Sequence, residues 1–78
     1  MKKRVYLTYP KERIREPLIY EVGRRFRVVT NIRQASVSPS LGLVALEFDG
    51  EPEEIDKAID FFIDKGVKVE PIELDVIE

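Results

Sequence analysis

The sequence lacks cysteine, histidine and tryptophan among its 78 residues. Without cysteine it can form no disulfide, iron–sulfur cluster or thiolate zinc site, and without histidine it has no imidazole ligand and no histidine-based triad. We find no other catalytic motif, so we expect neither enzymatic activity nor a cofactor. The length is that of one small domain, which we expect to span residues 1–78.

Long hydrophobic runs are also missing. The longest apolar stretch extends from Leu41 to Leu46, whereas a membrane helix needs about 20 residues. The basic residues at positions 2–4 are followed by too few apolar residues for a signal peptide. These features predict a cytoplasmic protein without a membrane partner.

Charge is distributed unevenly along the chain, although the formal net charge is −2. The first 39 residues carry ten Lys and Arg against three Asp and Glu, and the last 39 carry three against twelve. A basic half can bind nucleic acid, but an acidic half repels phosphate, and the sequence contains no RNP1 pattern. We therefore expect no nucleic-acid partner. We expect the two halves to neutralise each other within the fold or across a dimer.

Hydrophobic periodicity predicts the order strand, helix, strand, strand, helix, strand. Apolar residues alternate in a first strand that ends at Tyr9 and in a third that ends at Gly50, and residues 28–37 are β-rich. Pro71 cannot donate a ladder hydrogen bond, which places the fourth strand at a sheet edge. The apolar residues beyond it either extend this strand or dock elsewhere: Leu74, Val76 and Ile77.

The two predicted helices have clear start and stop signals. Pro17 and Pro52 suit the first turn of a helix, and Gly66 is expected to end the second helix as a left-handed cap. Apolar residues at helical spacing should form the buried stripe of the second helix: Ile55, Ala58, Ile59, Phe62 and Ile63.

This order of elements predicts an α+β domain with a ferredoxin-like βαββαβ fold. Right-handed crossovers place both helices on one face of a four-stranded antiparallel sheet with strand order 4-1-3-2. Four residues should lie on the opposite, bare face: Tyr6, Thr8, Leu43 and Ala45. A bare apolar face is typical of an interface, and association stabilises so small a domain, so we expect a homo-oligomer, a dimer or larger.

The second predicted strand contains an irregularity and a candidate binding residue. Ile32 and Ala35 can both face the core only if a β-bulge lies near Arg33 and Gln34. Asn31 carries an amide that can pair with the carboxylate or ammonium of a ligand. The same amide can instead bond its own backbone, and the sequence leaves both interpretations open.

The acidic cluster at residues 49–56 is the densest group of carboxylates in the chain. Oxygen ligands of this kind suit Ca²⁺ or Mg²⁺, but the spacing does not match an EF-hand loop. Acidic residues in the first turn of a helix also stabilise its positive end without a metal. We therefore expect no metal site here.

Short motifs along nearly the whole chain resemble the NIL domain family. The family is named after an Asn-Ile-Leu stretch, which corresponds here to Asn31-Ile32 followed by Arg33 in place of leucine. The other matching segments are Val5-x-Leu7-x-Tyr9-Pro10, Arg25-Phe26-x-Val28, Leu46-x-Phe48-x-Gly50, Ala58 and Gly66-Val67-x-Val69-Glu70. The resemblance implies a ferredoxin-like architecture related to that of ACT domains.

The resemblance also implies a function. The NIL domain is best known as the C-terminal regulatory domain of methionine-importing ABC ATPases, where it binds methionine at a domain–domain interface and inhibits transport, and it also occurs fused to ferredoxin modules. By resemblance, this chain is a non-enzymatic regulatory module that binds a methionine-like amino acid at a dimer interface. Asn31 would contact the ligand, with Ile32 and Arg33 beside it and with Ala35 and Val37 in the wall of the site.

An alternative function is a protein–protein interaction module that binds no ligand and acts in trans on a transport or redox partner. Arg33 motivates this alternative, because a charge at the position of the motif's leucine alters an apolar pocket. Binding of an amino acid, or its absence, distinguishes the two hypotheses.

Overall fold

The computed structural model describes residues 1–72, which form four strands and two α-helices in the predicted order. The elements are β1 (Lys2–Tyr9), α1 (Leu18–Arg25), β2 (Val28–Val37), β3 (Gly42–Gly50), α2 (Pro52–Asp64) and β4 (Lys68–Pro71). One 3-10 turn, Lys11–Arg13, lies in the loop between β1 and α1. The predicted role of Leu74, Val76 and Ile77 lies outside the described residues. Among residues 1–72, no helix combines the length and apolar character needed to cross a bilayer.

The four strands form one antiparallel sheet in the order β2-β3-β1-β4. This is the predicted order 4-1-3-2, and it confirms the ferredoxin-like α+β fold. β4 lies at one edge, as the proline at position 71 requires, and β2 lies at the other. In the register, Tyr6 is opposite Ala45 and Thr8 is opposite Leu43, so these four residues share one face.

The hydrophobic core lies between the sheet and the helices. The alternating residues Val5 and Leu7 of β1 are completely buried, as are Leu46 and Phe48 of β3. The helices contribute their apolar stripes, led by Leu18, Val22, Ile55 and Phe62. The rings of Phe48 and Phe62 lie 6.3 Å apart at an angle of 55°, which couples β3 to α2.

The ends of α2 follow the sequence signals. Pro52 occupies the first turn, where its missing N–H leaves no hydrogen bond unmade. Gly66 has a φ of 86°, and the N–H of Val67 donates to the carbonyl of Phe62 at 3.0 Å. The predicted left-handed cap is confirmed, since only glycine adopts this φ without strain.

The predicted buried stripe of α2 is wrong at one position. Ile55, Ala58 and Phe62 are buried and Ile59 packs against the core, but Ile63 is 53% exposed. At about 100° per residue, Ile63 lies about 80° around the helix from Ile55. That angle places its side chain at the rim of the stripe and on the outer surface.

Candidate functional site

The second half of β2 is the most exposed part of the sheet. Every residue from 31 to 40 is exposed, whereas Val28 at the start of the strand is buried. β2 is an edge strand, so one side of its backbone has no strand partner in the sheet of residues 1–72. Such an edge is a template for pairing with another chain or for hydrogen bonds to a ligand.

A β-bulge in this segment sets the direction of the side chains. Ile32 pairs with Leu46, Gln34 with Ala45 and Ala35 with Val44, so Arg33 is the extra residue. The predicted bulge is confirmed. It turns Ile32 and Ala35 toward the helix side of the sheet.

The helix-side residues of β2 do not enter the core. Ile32 is 54% exposed, and Ala35 is exposed beside it. Both side chains therefore point toward the helix side of the sheet, as expected. The expectation that they enter the core is wrong, because both are exposed. The helices cover the beginning of β2 and leave its second half uncovered.

An apolar groove of about 250 Å³ occupies this uncovered region. On one side it is lined by Ile32, Ala35 and Val37 of β2. The opposite side is formed by the segment that leads into α1, with Ile14, Leu18 and Ile19. The groove thus extends the hydrophobic core to the surface at the β2 edge.

The floor of the groove is neutral and closely packed. It includes Tyr9, Gly42 and Val44. Burial raises the pKa of the Tyr9 hydroxyl to about 12, so this side chain carries no charge at neutral pH. A Cβ atom at position 42 would come within 3.1 Å of the Tyr9 Cβ, which makes glycine the residue that leaves the floor open.

The structure brings together three of the five predicted site residues. Ile32, Ala35 and Val37 line the groove. Asn31 is opposite Glu47, and this register places it on the bare face of the sheet. Arg33 is the exposed bulge residue and is not among the groove-lining residues, so its charge lies outside the apolar walls.

Sequence reasoning missed the residues that form the other side of the groove. Ile14 is the informative one, because it is the single apolar residue in a charged loop from Lys11 to Glu16. An isolated isoleucine in such a loop indicates a packing partner. Leu18 and Ile19 belong to α1, where Leu18 is buried and Ile19 packs against the core, so both contribute to the core and to the groove.

The bare face contains a second depression, of about 360 Å³. Tyr6, Leu43 and Ala45 line it together with the polar residues Gln34 and Glu70. This confirms the predicted apolar residues on the bare face. Asn31 is not among the residues that line this depression.

The neighbour of Asn31 on the bare face belongs to an ion pair. Arg4 Nε donates to Glu47 Oε1 at 2.8 Å. This hydrogen bond holds the pKa of the Glu47 carboxyl below its ordinary value. Within residues 1–72 no group of three or more acidic side chains is arranged to hold a metal ion.

The chain matches a known family and known proteins. Residues 3–71 match the family model of the NIL domain. The chain is 39% identical over 74 residues to the methionine import ATP-binding protein MetN of Bacillus subtilis (strain 168), a match that covers 90% of this chain and 22% of that protein. It is 42% identical over 60 residues to the protein of the same name from Symbiobacterium thermophilum, which covers 72% of this chain and 18% of that protein.

The chain therefore spans about a fifth of the length of the curated relatives it matches. A crystal structure of the C-terminal domain of an ABC transporter ATP-binding protein from Enterococcus faecalis matches the fold with a TM-score of 0.79 at 23% identity. That match covers 94% of this chain and 86% of the other. The family model matches residues 3–71 and a relative is 39% identical over 90% of the chain, so this chain belongs to the NIL domain family.

Proposed function

We propose that this chain is a non-enzymatic regulatory module that binds an apolar, methionine-like amino acid between two copies. The observation that carries the proposal is the apolar groove at the exposed edge of β2. Family membership supports the regulatory role, and the similar MetN proteins are named for methionine import. The regulated partner is then a cytoplasmic transport protein, on which the module acts in cis or in trans.

The chemistry of the groove favours an apolar side chain. Its walls are mostly aliphatic, and its floor holds a tyrosine that stays neutral. The one charged residue that lines it, Glu16, is already paired with Arg13 at 2.7 Å, so a charged ligand side chain would lose its hydration without gaining a free partner. The volume of about 250 Å³ corresponds to roughly eight water molecules, which suits a small amino acid rather than a nucleotide.

The charged ends of the amino acid require polar groups at the rim. The β2 edge supplies backbone N–H and C=O groups that the sheet does not use on that side. Asn31 adjoins Ile32 in this edge strand, so a ligand that lies across the edge can place its side chain beside Ile32 and one charged end on the Asn31 amide. Asn31 and the groove then belong to one site although they lie on opposite faces.

A second copy would complete this site. The groove opens at the sheet edge, and a copy placed against β2 would cover the exposed side chains of Ile32 and Val37. Ligand burial and association would then be linked, because a ligand that binds only the pair stabilises the pair. This linkage is the basis on which the module would report amino-acid concentration to its partner.

Titration calorimetry with the twenty amino acids tests the proposal. We expect methionine or a similar apolar amino acid to bind the wild-type dimer, and charged amino acids not to bind. Asn31→Ala should weaken binding by about tenfold, the effect of one hydrogen bond to a charged group. Gln34→Ala removes an amide from the same strand and the same face, and should leave the affinity within about twofold.

The interaction module without a ligand remains the second candidate. Arg33, which stands in place of the motif's leucine and is exposed on the bulge, favours it as a contact residue for a protein partner. A folded chain that binds no amino acid at millimolar concentration would support this candidate and contradict the amino-acid sensor.

A further inference from the structure

The helix layer exposes two surfaces of opposite charge. One is the arginine surface at the end of α1, which consists of Arg24, Arg25 and Arg27. The other is the aspartate stripe along α2, which consists of Asp56, Asp60 and Asp64. All six side chains are exposed.

The fold does not neutralise these two surfaces against each other. None of the ion pairs found among residues 1–72 includes any of these six side chains, although one of the pairs, Lys57–Glu54, lies on α2. The guanidinium of Arg24 lies 5.8 Å from the ring centroid of Tyr20, and that of Arg25 lies 5.2 Å from the ring of Phe61. Aspartates four residues apart on one helix face repel each other. The expectation of neutralisation within the fold is therefore not met by direct ion pairs in this layer.

Each charged surface also contains one exposed apolar side chain. Tyr20 is 63% exposed and lies one turn before Arg24 on α1. Ile63 is 53% exposed and lies three residues after Asp60 on α2. Aromatic and aliphatic side chains surrounded by charges are typical anchors of interfaces.

The topology determines where these residues lie along the helix axes relative to one another. β1 and β3 are antiparallel and each precedes one helix, so α1 and α2 run in opposite directions. The contact between Arg25 and Phe61 places these two residues at a similar position along the helices, so Arg24 and Asp60 lie about 3 Å apart along the axis, within reach of their side chains. Tyr20 lies one turn before Arg24 on α1, and Ile63 lies about one turn after Asp60 on α2. Because the helices are antiparallel, both displacements run in the same direction along the helix axes.

We propose that a second copy of this chain docks on the helix layer, with α1 of each copy against α2 of the other. The two copies are related by a two-fold axis that runs parallel to the helices and between α1 and α2. This rotation places α1 of one copy opposite α2 of the other and does not shift any residue along the axis. Arg24 of each copy then faces Asp60 of the second copy, and Tyr20 faces Ile63. This contact is isologous and uses the helix layer rather than the β2 edge, although Tyr20 also lines the groove beside that edge.

Sedimentation analysis with charge-reversed variants tests the helix-layer contact. Association of the wild type should weaken about tenfold when salt rises from about 50 mM to about 500 mM. Arg24→Asp alone and Asp60→Arg alone should each weaken association at least as much, because both place like charges opposite each other. An equal mixture of the two variants should restore it, since every contact in a mixed pair joins opposite charges.

Lys11→Asp is the matched control, since it makes the same charge change at an exposed position outside the two helices. It should leave association unchanged. Single variants that associate like the wild type, or a mixture that does not recover, would overturn the proposal. Association through the β2 edge alone would be insensitive to all three variants, so the two interfaces are distinguishable.

Discussion

Ile32 and Ala35 lie on the same face of β2, although they are three positions apart in the sequence. In a regular strand this spacing would put them on opposite faces. The register assigns Ile32 to Leu46 and Ala35 to Val44, and the extra residue Arg33 absorbs the difference. The bulge thereby creates one wall of the groove and keeps the arginine out of it.

Deletion of Arg33 should leave the groove intact. The pairs on either side of the bulge would become continuous without a change of register, so the free energy of unfolding should change by less than about 1 kcal/mol in urea denaturation. Deletion of Ser36 is the control, because it puts Val37 out of phase with its partner Gly42 and should destabilise more. The opposite ranking would contradict the role of Arg33 as the bulge residue.

Replacement of glycine by alanine should have opposite effects on the free energy of unfolding at positions 66 and 23. Gly66→Ala forces alanine into a left-handed conformation and should lower the free energy of unfolding by about 1–2 kcal/mol. Gly23→Ala lies in a helix with open space around the new Cβ and should raise it by up to about 1 kcal/mol. Thermal and urea denaturation of both variants check the signs, and equal signs would contradict the described backbone.

Substitution of Phe62 should be among the most destabilising changes in the core. Phe62→Ala removes a buried ring that lies next to Phe48 and should cost about 3–5 kcal/mol. A domain of this size has about 4–12 kcal/mol in total, so we expect a partly unfolded chain by circular dichroism. Ile63→Ala on the exposed side of the same helix should change stability by less than about 0.5 kcal/mol.

The Arg4–Glu47 pair should stabilise the fold at neutral pH and lose this effect in acid. The hydrogen bond from Arg4 lowers the pKa of Glu47 in the folded chain below the ordinary value of 4.5. The contribution is therefore complete above that value and is lost as the pH falls through the folded pKa. The difference in melting temperature between wild type and Glu47→Gln should shrink from about pH 7 to about pH 3. Arg4→Gln should give the same trend, and a difference that grows on acidification would contradict it.

The sequence predicted those features that local chemistry determines. Alternation in β1 and β3, proline and glycine at the helix ends, and the odd spacing of Ile32 and Ala35 each constrain the backbone directly. Pro71 fixed the position of β4 at the edge for the same reason. The family resemblance added the expected role of the β2 segment.

The remaining features depend on tertiary placement. Asn31 was expected beside the wall residues, but the face it occupies depends on the register with β3, which pairs it with Glu47. Ile14 enters the groove only because the loop before α1 brings it beside Gly42 at the start of β3. The exposure of Ile63 depends on how far α2 rotates against the sheet. Periodicity in one segment does not determine any of these relationships.

Filling the groove is the most direct test of the central claim, that an amino-acid side chain binds between β2 and α1. Ala35→Leu adds an aliphatic side chain inside the groove, and Ser36→Leu adds the same side chain to the next residue on the opposite face. Calorimetry with methionine should show binding to the wild type and to Ser36→Leu, and at least a tenfold loss in Ala35→Leu, or about 1.4 kcal/mol. Unchanged binding in Ala35→Leu, with loss in Ser36→Leu, would contradict this claim and place the ligand on the bare face.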